Sequence, residues 1–145
     1  MNFEKYASTG NEFLNEVAEE LSIPGDKDTA GRILRAVLWT LRARLSQAES
    51  FDLIAQLPMM LKAVYVDGWR PGAVPDKHIR NVDDFVEAMM EHADQSALRD
   101  FPNPARARTC ASAVFRVLKR HVSPGESKDI AGQLPKALQM LWTDA

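Results

Sequence analysis

A chain of 145 residues with 46% hydrophobic and 26% charged side chains can bury a sizeable core and is too apolar to remain disordered. Eighteen basic residues against 20 acidic ones leave a net charge of −2, which argues neither for nor against nucleic acid until its distribution is read. One cysteine, Cys110, excludes an internal disulfide and suits a reducing compartment.

The first 13 residues carry Glu4, Lys5 and Glu12 and no apolar run, so no signal peptide is expected. No stretch approaches the ~18 consecutive apolar residues of a membrane span, and the protein is expected to be cytoplasmic. From Asn11 to Leu21, Phe13, Leu14, Val17, Ala18 and Leu21 form one apolar stripe, with Glu12, Glu16, Glu19 and Glu20 outside it. That is a helix, stopped by Ile23-Pro24-Gly25. A second helix is predicted over Thr29–Leu45, where Ala30, Ile33, Leu34, Val37, Leu38, Leu41 and Leu45 keep a strong 3.6-residue period.

Ser46-Gln-Ala-Glu49 reads as a capping box opening a third helix. The serine hydroxyl accepts from the third amide, and the glutamate reaches back to the cap amide. Pro58 cannot sit inside a regular helix, so it is read as the first residue of a fourth, Pro58–Val66, after a tight corner at Gln56-Leu57. One helix kinked at the proline is the alternative. Asp67–Asn81 contains Gly68, Pro71, Gly72 and Pro75 and reads as a structured connector, with Trp69, Val74 and Ile79 available to pack.

The series then starts again. Helices are predicted over Val82–His92 and Ala107–Val122, the latter burying Ala107, Cys110, Ala111, Val114, Phe115, Leu118 and Val122. Ser123-Pro-Gly-Glu126 repeats the capping box with Pro124 at the first helical position, and Pro135–Trp142 repeats the fourth helix. A shift of 77 lays Ala36–Tyr65 on Ala113–Trp142 with 11 of 30 pairs identical, among them Ser46/Ser123, Glu49/Glu126, Asp52/Asp129 and Pro58/Pro135. About two would match by chance. The first helices correspond at a shift of 72, so the second copy has the longer connection, through Asp100-Phe101-Pro102-Asn103-Pro104.

The expected architecture is therefore all-α: two tandem four-helix units packed into one compact helical domain. Residues 1–66 form the first repeat, 67–81 a Gly/Pro-containing connector and 82–145 the second repeat.

The segments Ala36-Val37-Leu38, Leu41, Ala55-Gln56-Leu57-Pro58, Tyr65, Gly68-Trp69-Arg70-Pro71, Phe85, Ala113-Val114-Phe115-Arg116-Val117-Leu118 and Gln133-Leu134-Pro135 resemble a bacterial domain of unknown function, family 2267. The resemblance covers nearly the whole chain. It implies an all-α fold, and it brings no assigned activity and no catalytic residue.

The residues themselves offer little chemistry. His78, His92 and His121 sit in no metal-ligand spacing, no Gly-x-Ser-x-Gly elbow exists, and no motif asks for a metal or a cofactor. Cys110 falls on a buried stripe and reads as an inert core thiol. The repeated acids Glu49/Glu126 and Asp52/Asp129 could be a symmetric carboxylate site, but first-turn acids suit a helix dipole without one. Charge is patterned: net −5 over residues 1–30, +3 over 31–50, −5 over 81–100 and +5 over 101–122.

Arg32, Arg35, Trp39 and Arg42 lie opposite their helix's apolar stripe, where a tryptophan among arginines could stack a base. Arg–acid pairs between helices, with Trp39 packed under another segment or a second subunit, explain the same residues more simply. In the connector, Trp69, Arg70, Lys77, His78 and Arg80 gather an aromatic ring and cations at the seam of the repeats, a setting for a ligand or anion pocket. Trp69 pinning the connector down is the plainer alternative. The candidate surface is thus Arg32, Arg35, Trp39, Arg42, Trp69, Arg70, His78 and Arg80. The expected function is a non-enzymatic module that binds an unidentified protein partner or itself, with nucleic-acid or nucleotide binding through the basic second helices and Trp39 as the alternative and no role at a membrane.

Overall fold

The computed structural model describes residues 1–145, with the side chain of Asp94 excepted. Among the described residues it is all-helical, with nine α-helices, two short 3₁₀ turns and no strand. None of these helices is long and apolar enough to cross a membrane.

Helix α1 runs Phe3–Glu20, starting eight residues before the predicted Asn11. The Asn2 side chain accepts from the Lys5 amide and caps it there, and Phe3 and Tyr6 remain exposed, so no buried stripe marks this extension in the sequence. Gly10 lets α1 pass close over the fourth helix: a Cβ at this position would lie 3.0 Å from Cγ of Met60. Helix α2, Lys27–Arg44, begins where Asp26 accepts from the Thr29 amide at 3.0 Å and the Thr29 hydroxyl at 2.7 Å. Helix α3, Gln47–Gln56, has the expected capping box on Ser46 and Glu49.

At the corner, Leu57 (ψ 145°) and Pro58 (φ −55°, ψ 151°) are extended, so the chain breaks rather than kinks. Pro58 is the cap position and helix α4 is Met59–Val66, one residue later than predicted. Helix α5 occupies Val82–His92, as predicted. A 3₁₀ turn, Asp94–Ser96, and the single-turn helix α6, Ala97–Asp100, lie in the longer connection, where the sequence has too short a run to show a period.

Helix α7, Pro104–Arg120, starts three residues before the predicted Ala107 because Asn103 caps it and Pro104 fills its first position. Helix α8, Pro124–Gln133, carries the second capping box. Leu134 (ψ 142°) and Pro135 (φ −52°, ψ 142°) take the same corner, and the last predicted helix is a 3₁₀ turn, Lys136–Leu138, followed by helix α9, Gln139–Thr143.

Helices α2 and α7 are central. Each packs on α1, on α5 and on the other, and α3 packs on α8. Their predicted stripes are buried except Val122, which lies past the end of α7 and is only partly covered, and Ala36, Thr40, Ala113 and Val117 are buried as well, because a central helix meets neighbours on more than one side. One continuous apolar cluster runs from Phe13 to Trp142. Two polar pairs close it at matching places. The Ser50 and Tyr65 hydroxyls are 2.7 Å apart, and Nε1 of Trp142 donates to Ser127 Oγ at 3.1 Å.

The alternating charge blocks become clasps between helices. Glu20 at the end of α1 accepts from Arg116 and Arg120 of α7, and Glu16 meets His121. Hydrogen bonds from the two guanidinium groups hold the Glu20 carboxyl below its usual range. A carboxyl depressed by folding stabilises the native state above its unfolded pKa, so this clasp holds at neutral pH and loosens as acid protonates Glu20.

Candidate functional site

The last turn of α2 shapes the connector. Arg42 donates through Nη1 to the Tyr65 carbonyl at 2.8 Å and to the Asp67 carbonyl, Arg44 Nε donates to the Ile79 carbonyl at 2.8 Å, and the Asp76 amide donates to the Ala43 carbonyl at 2.8 Å. Carbonyls at a helix C-terminus and guanidinium groups beside it therefore satisfy connector groups that would otherwise need water. Ile79 is buried as expected. Val74 is not: it is 84% exposed, because the residues around it turn outward between Gly72 and Asp76.

A cleft of about 510 Å³ lies between this turn, the connector and the end of α5. Trp39, Arg42, Gln47, Trp69, Arg70, Asp76 and His92 line it. Trp69 is held edge-on by Phe51 (centroids 5.5 Å, 81°) and Tyr65 (6.1 Å, 72°). Arg42 is half-buried, and among the described residues no carboxylate pairs with it; burial lowers its pKa, although it stays a cation. The one carboxylate in the lining, Asp76, accepts from the His78 amide at 3.0 Å and meets His78 Nδ1 at 3.2 Å.

His92 faces the cleft in a defined tautomer. The Thr40 hydroxyl is 2.7 Å from the Ala36 carbonyl and donates its single proton there. His92 Nδ1, 3.0 Å from the same oxygen, is then the donor, which leaves Nε2 as an acceptor. Partial burial is the main cause that pushes this imidazole below the ordinary histidine pKa; the Glu91 and Asp76 charges oppose the shift and the Arg42 charge adds to it.

The eight candidate residues separate. Trp39, Arg42, Trp69 and Arg70 meet at the cleft. Arg32 instead grips Asp100 with two hydrogen bonds, Nε to Oδ2 at 2.8 Å and Nη2 to Oδ1 at 3.1 Å. His78 and Arg80 stand in solvent, Arg80 beside Asp84 at 3.3 Å. Trp39 is pinned through Nε1 to the Val64 carbonyl at 2.9 Å, and the guanidinium groups of Arg35 and Arg42 lie 5.3 and 4.5 Å from its ring centre. The simpler expectation for Trp39 holds: the ring that could have stacked a base is packed against another segment and covered by cations of its own chain. Gln47, Asp76 and His92 join the cleft without any local signal, because they come from three different elements.

A second hollow surrounds Met60, on α4. Pockets of about 210 and 220 Å³ flank it, the first against Tyr6, Phe13 and Met59, the second against Leu14, Leu34 and Val64. Met59 and Met60 are 49% and 38% exposed.

A family model described as an uncharacterized conserved protein (DUF2267) matches residues 10–141. The chain belongs to this family. No curated protein matches it. The DUF2267 match contains every residue of the connector cleft and both methionines, while Phe3 and Tyr6, on the extension of α1, precede it.

One reactive group of this DUF2267 chain is enclosed. Cys110 is fully buried on α7, and desolvation pushes its thiol up to about 11. Native protein should therefore resist a thiol reagent at pH 8 and react stoichiometrically once denatured in urea; fast labelling of the folded form would show that α7 opens. Among the described residues no three His, Cys, Asp or Glu side chains are grouped to hold a metal ion.

Proposed function

We propose that this protein is a non-enzymatic binding module that takes up an amphipathic helix of a partner protein along the apolar groove centred on Met60. The observation that carries this reading is a set of apolar hollows gathered around one exposed methionine, Met60. The hollow beside Tyr6 and Met59, the hollow beside Leu14 and Val64 and the open face toward Trp39 all share Met60. Unbranched methionine side chains adapt to a partner's shape, and two helices forming a trough suit a third laid between them. Lys5 lines one end and Arg35 the other, and neither pairs with a carboxylate among the described residues. The partner helix this favours carries Asp or Glu along its polar edges.

Two further observations support protein over nucleic acid. Most of the basic residues of α2 and α7 serve the fold: Arg32 holds Asp100, Arg116 and Arg120 hold Glu20, Arg106 reaches the Leu21 carbonyl, and Lys119 donates to the Trp142 and Ala145 carbonyls at 3.0 Å. Trp39 carries its own arginines. We also read the twin corners, twin capping boxes and α3–α8 contact as two copies of one unit facing each other, with the groove built almost wholly from the first copy and closed at one end by His121 of the second.

Selection from a displayed library of helical peptides tests the reading. Amphipathic sequences with acidic edges should be enriched, and Met60→Asp should weaken the best of them by at least about tenfold. Absence of enrichment, or peptides indifferent to Met60→Asp, would defeat the proposal. A dimer mass in light scattering, lost in the same variant, would assign the groove to a second copy of this chain instead.

A further inference from the structure

We propose that the connector cleft is a separate small-molecule site, built for a planar aromatic or heteroaromatic ring that bears a carboxylate or phosphate group. Four features lead to this ligand class.

The first is charge. Arg42 and Arg70 both line the cleft, and the single acid among the lining residues, Asp76, is engaged with His78. The half-buried Arg42 guanidinium is bonded to carbonyls and touches no carboxylate among the described residues, with the Asp67 charge acting on it only from a distance. In such a setting an anion gains more than it would in water.

The second is shape. Trp69 is fixed edge-on by Phe51 and Tyr65, so a flat wall exists before any ligand arrives, and the cleft's 510 Å³ suits a small molecule. The third is a polar group of defined sense. His92 offers the acceptor Nε2, with Nδ1 committed to Thr40, so it selects a ligand with an N–H or O–H on the ring.

The fourth is rigidity. Gly68 (φ 68°) and Gly72 (φ 89°) let the connector bend where a Cβ would be strained, and α2 holds the resulting loop through Arg42, Arg44 and the Ala43 carbonyl. Little ordering remains to be done on binding. This site stands independently of the Met60 groove, with which it shares only Trp39.

Calorimetry on the full chain tests it with two matched pairs: adenosine 5′-monophosphate against adenosine, and 6-hydroxy-2-naphthoate against 6-hydroxy-2-naphthamide. At least one acid should bind saturably with a Kd below about 1 mM, at least about tenfold tighter than its uncharged counterpart. The acid that binds tells phosphate from carboxylate. Arg70 is exposed, so Arg70→Ala should fold normally by circular dichroism and weaken the acid by at least about fivefold, while Met60→Asp leaves it unchanged. In nitrogen–proton spectra the indole N–H signal of Trp69 should move. The proposal is overturned if neither acid binds, if the neutral molecules bind as well, if Arg70→Ala binds like the native protein, or if the shifts collect around Met60.

Discussion

Trp142→Ala is expected to remove about 3–5 kcal/mol of folding stability, the largest loss from any one side chain in this molecule. Trp142 is among the largest fully enclosed side chains, 2% exposed, although it lies only three residues from the last residue described. Its ring meets Phe115 edge-on (5.9 Å, 64°), Nε1 donates to Ser127, and its carbonyl accepts from Lys119. Alanine would open a cavity that α7 and α9 cannot both close, and would leave the Ser127 hydroxyl without its donor. Domains of this size have about 5–15 kcal/mol in total, so the variant would be near the edge of folding.

Urea denaturation checks this directly. With a slope of roughly 2 kcal/mol per molar, the midpoint should fall by about 2 M. Trp142→Phe keeps most of the ring and should lose about 1–3 kcal/mol, the cost of the missing hydrogen bond and a smaller void. A loss under 1 kcal/mol for the alanine variant would mean that the last helix is not docked in solution.

Elements whose buried face repeats every 3.6 residues were legible in the sequence, and so were those with a local hydrogen-bond device. The stripe from Ala30 to Leu45, the Ser46 and Ser123 capping boxes and the Val82–His92 helix all depend on residues within a few positions of one another. The first turns of α1 were hidden because Phe3 and Tyr6 face solvent, and α6 because four residues make no period. At the candidate site, the cluster Trp69–Arg70 was legible as a run, but the run misled at His78 and Arg80, which flank the buried Ile79 and stand in solvent. His92 and Gln47 reach the cleft from elements whose approach only tertiary packing decides. Basic helices beside acidic ones did foretell inter-helix pairs, yet no spacing rule could say that Arg32 meets an aspartate 68 positions away.

Arg32→Met should cost about 3 kcal/mol, more than removal of its partner. The Asp100 side chain is 2% exposed and the Arg32 side chain 26%, so the two ends of this ion pair differ in their access to water. Taking away Arg32 strands a carboxylate in the interior, a situation that costs about 3–5 kcal/mol when nothing replaces the lost charge. Arg99, 3.7 Å away and largely in solvent, replaces part of it, which sets the expectation at the lower end. Asp100→Leu leaves Arg32 able to rehydrate and to keep its bond to Thr29 at 3.0 Å, so about 1–2 kcal/mol is expected.

The decisive measurement is the double variant. Two apolar groups of similar volume demand no hydrogen bonds, and Arg32→Met with Asp100→Leu should lie within about 1 kcal/mol of the native protein. The resulting coupling energy of at least about 3 kcal/mol would mark Arg32 as the clamp that holds the α5–α7 connection onto α2. Additive losses would contradict the clamp. Arg32 would then be free for the binding surface that its place opposite the apolar stripe first suggested.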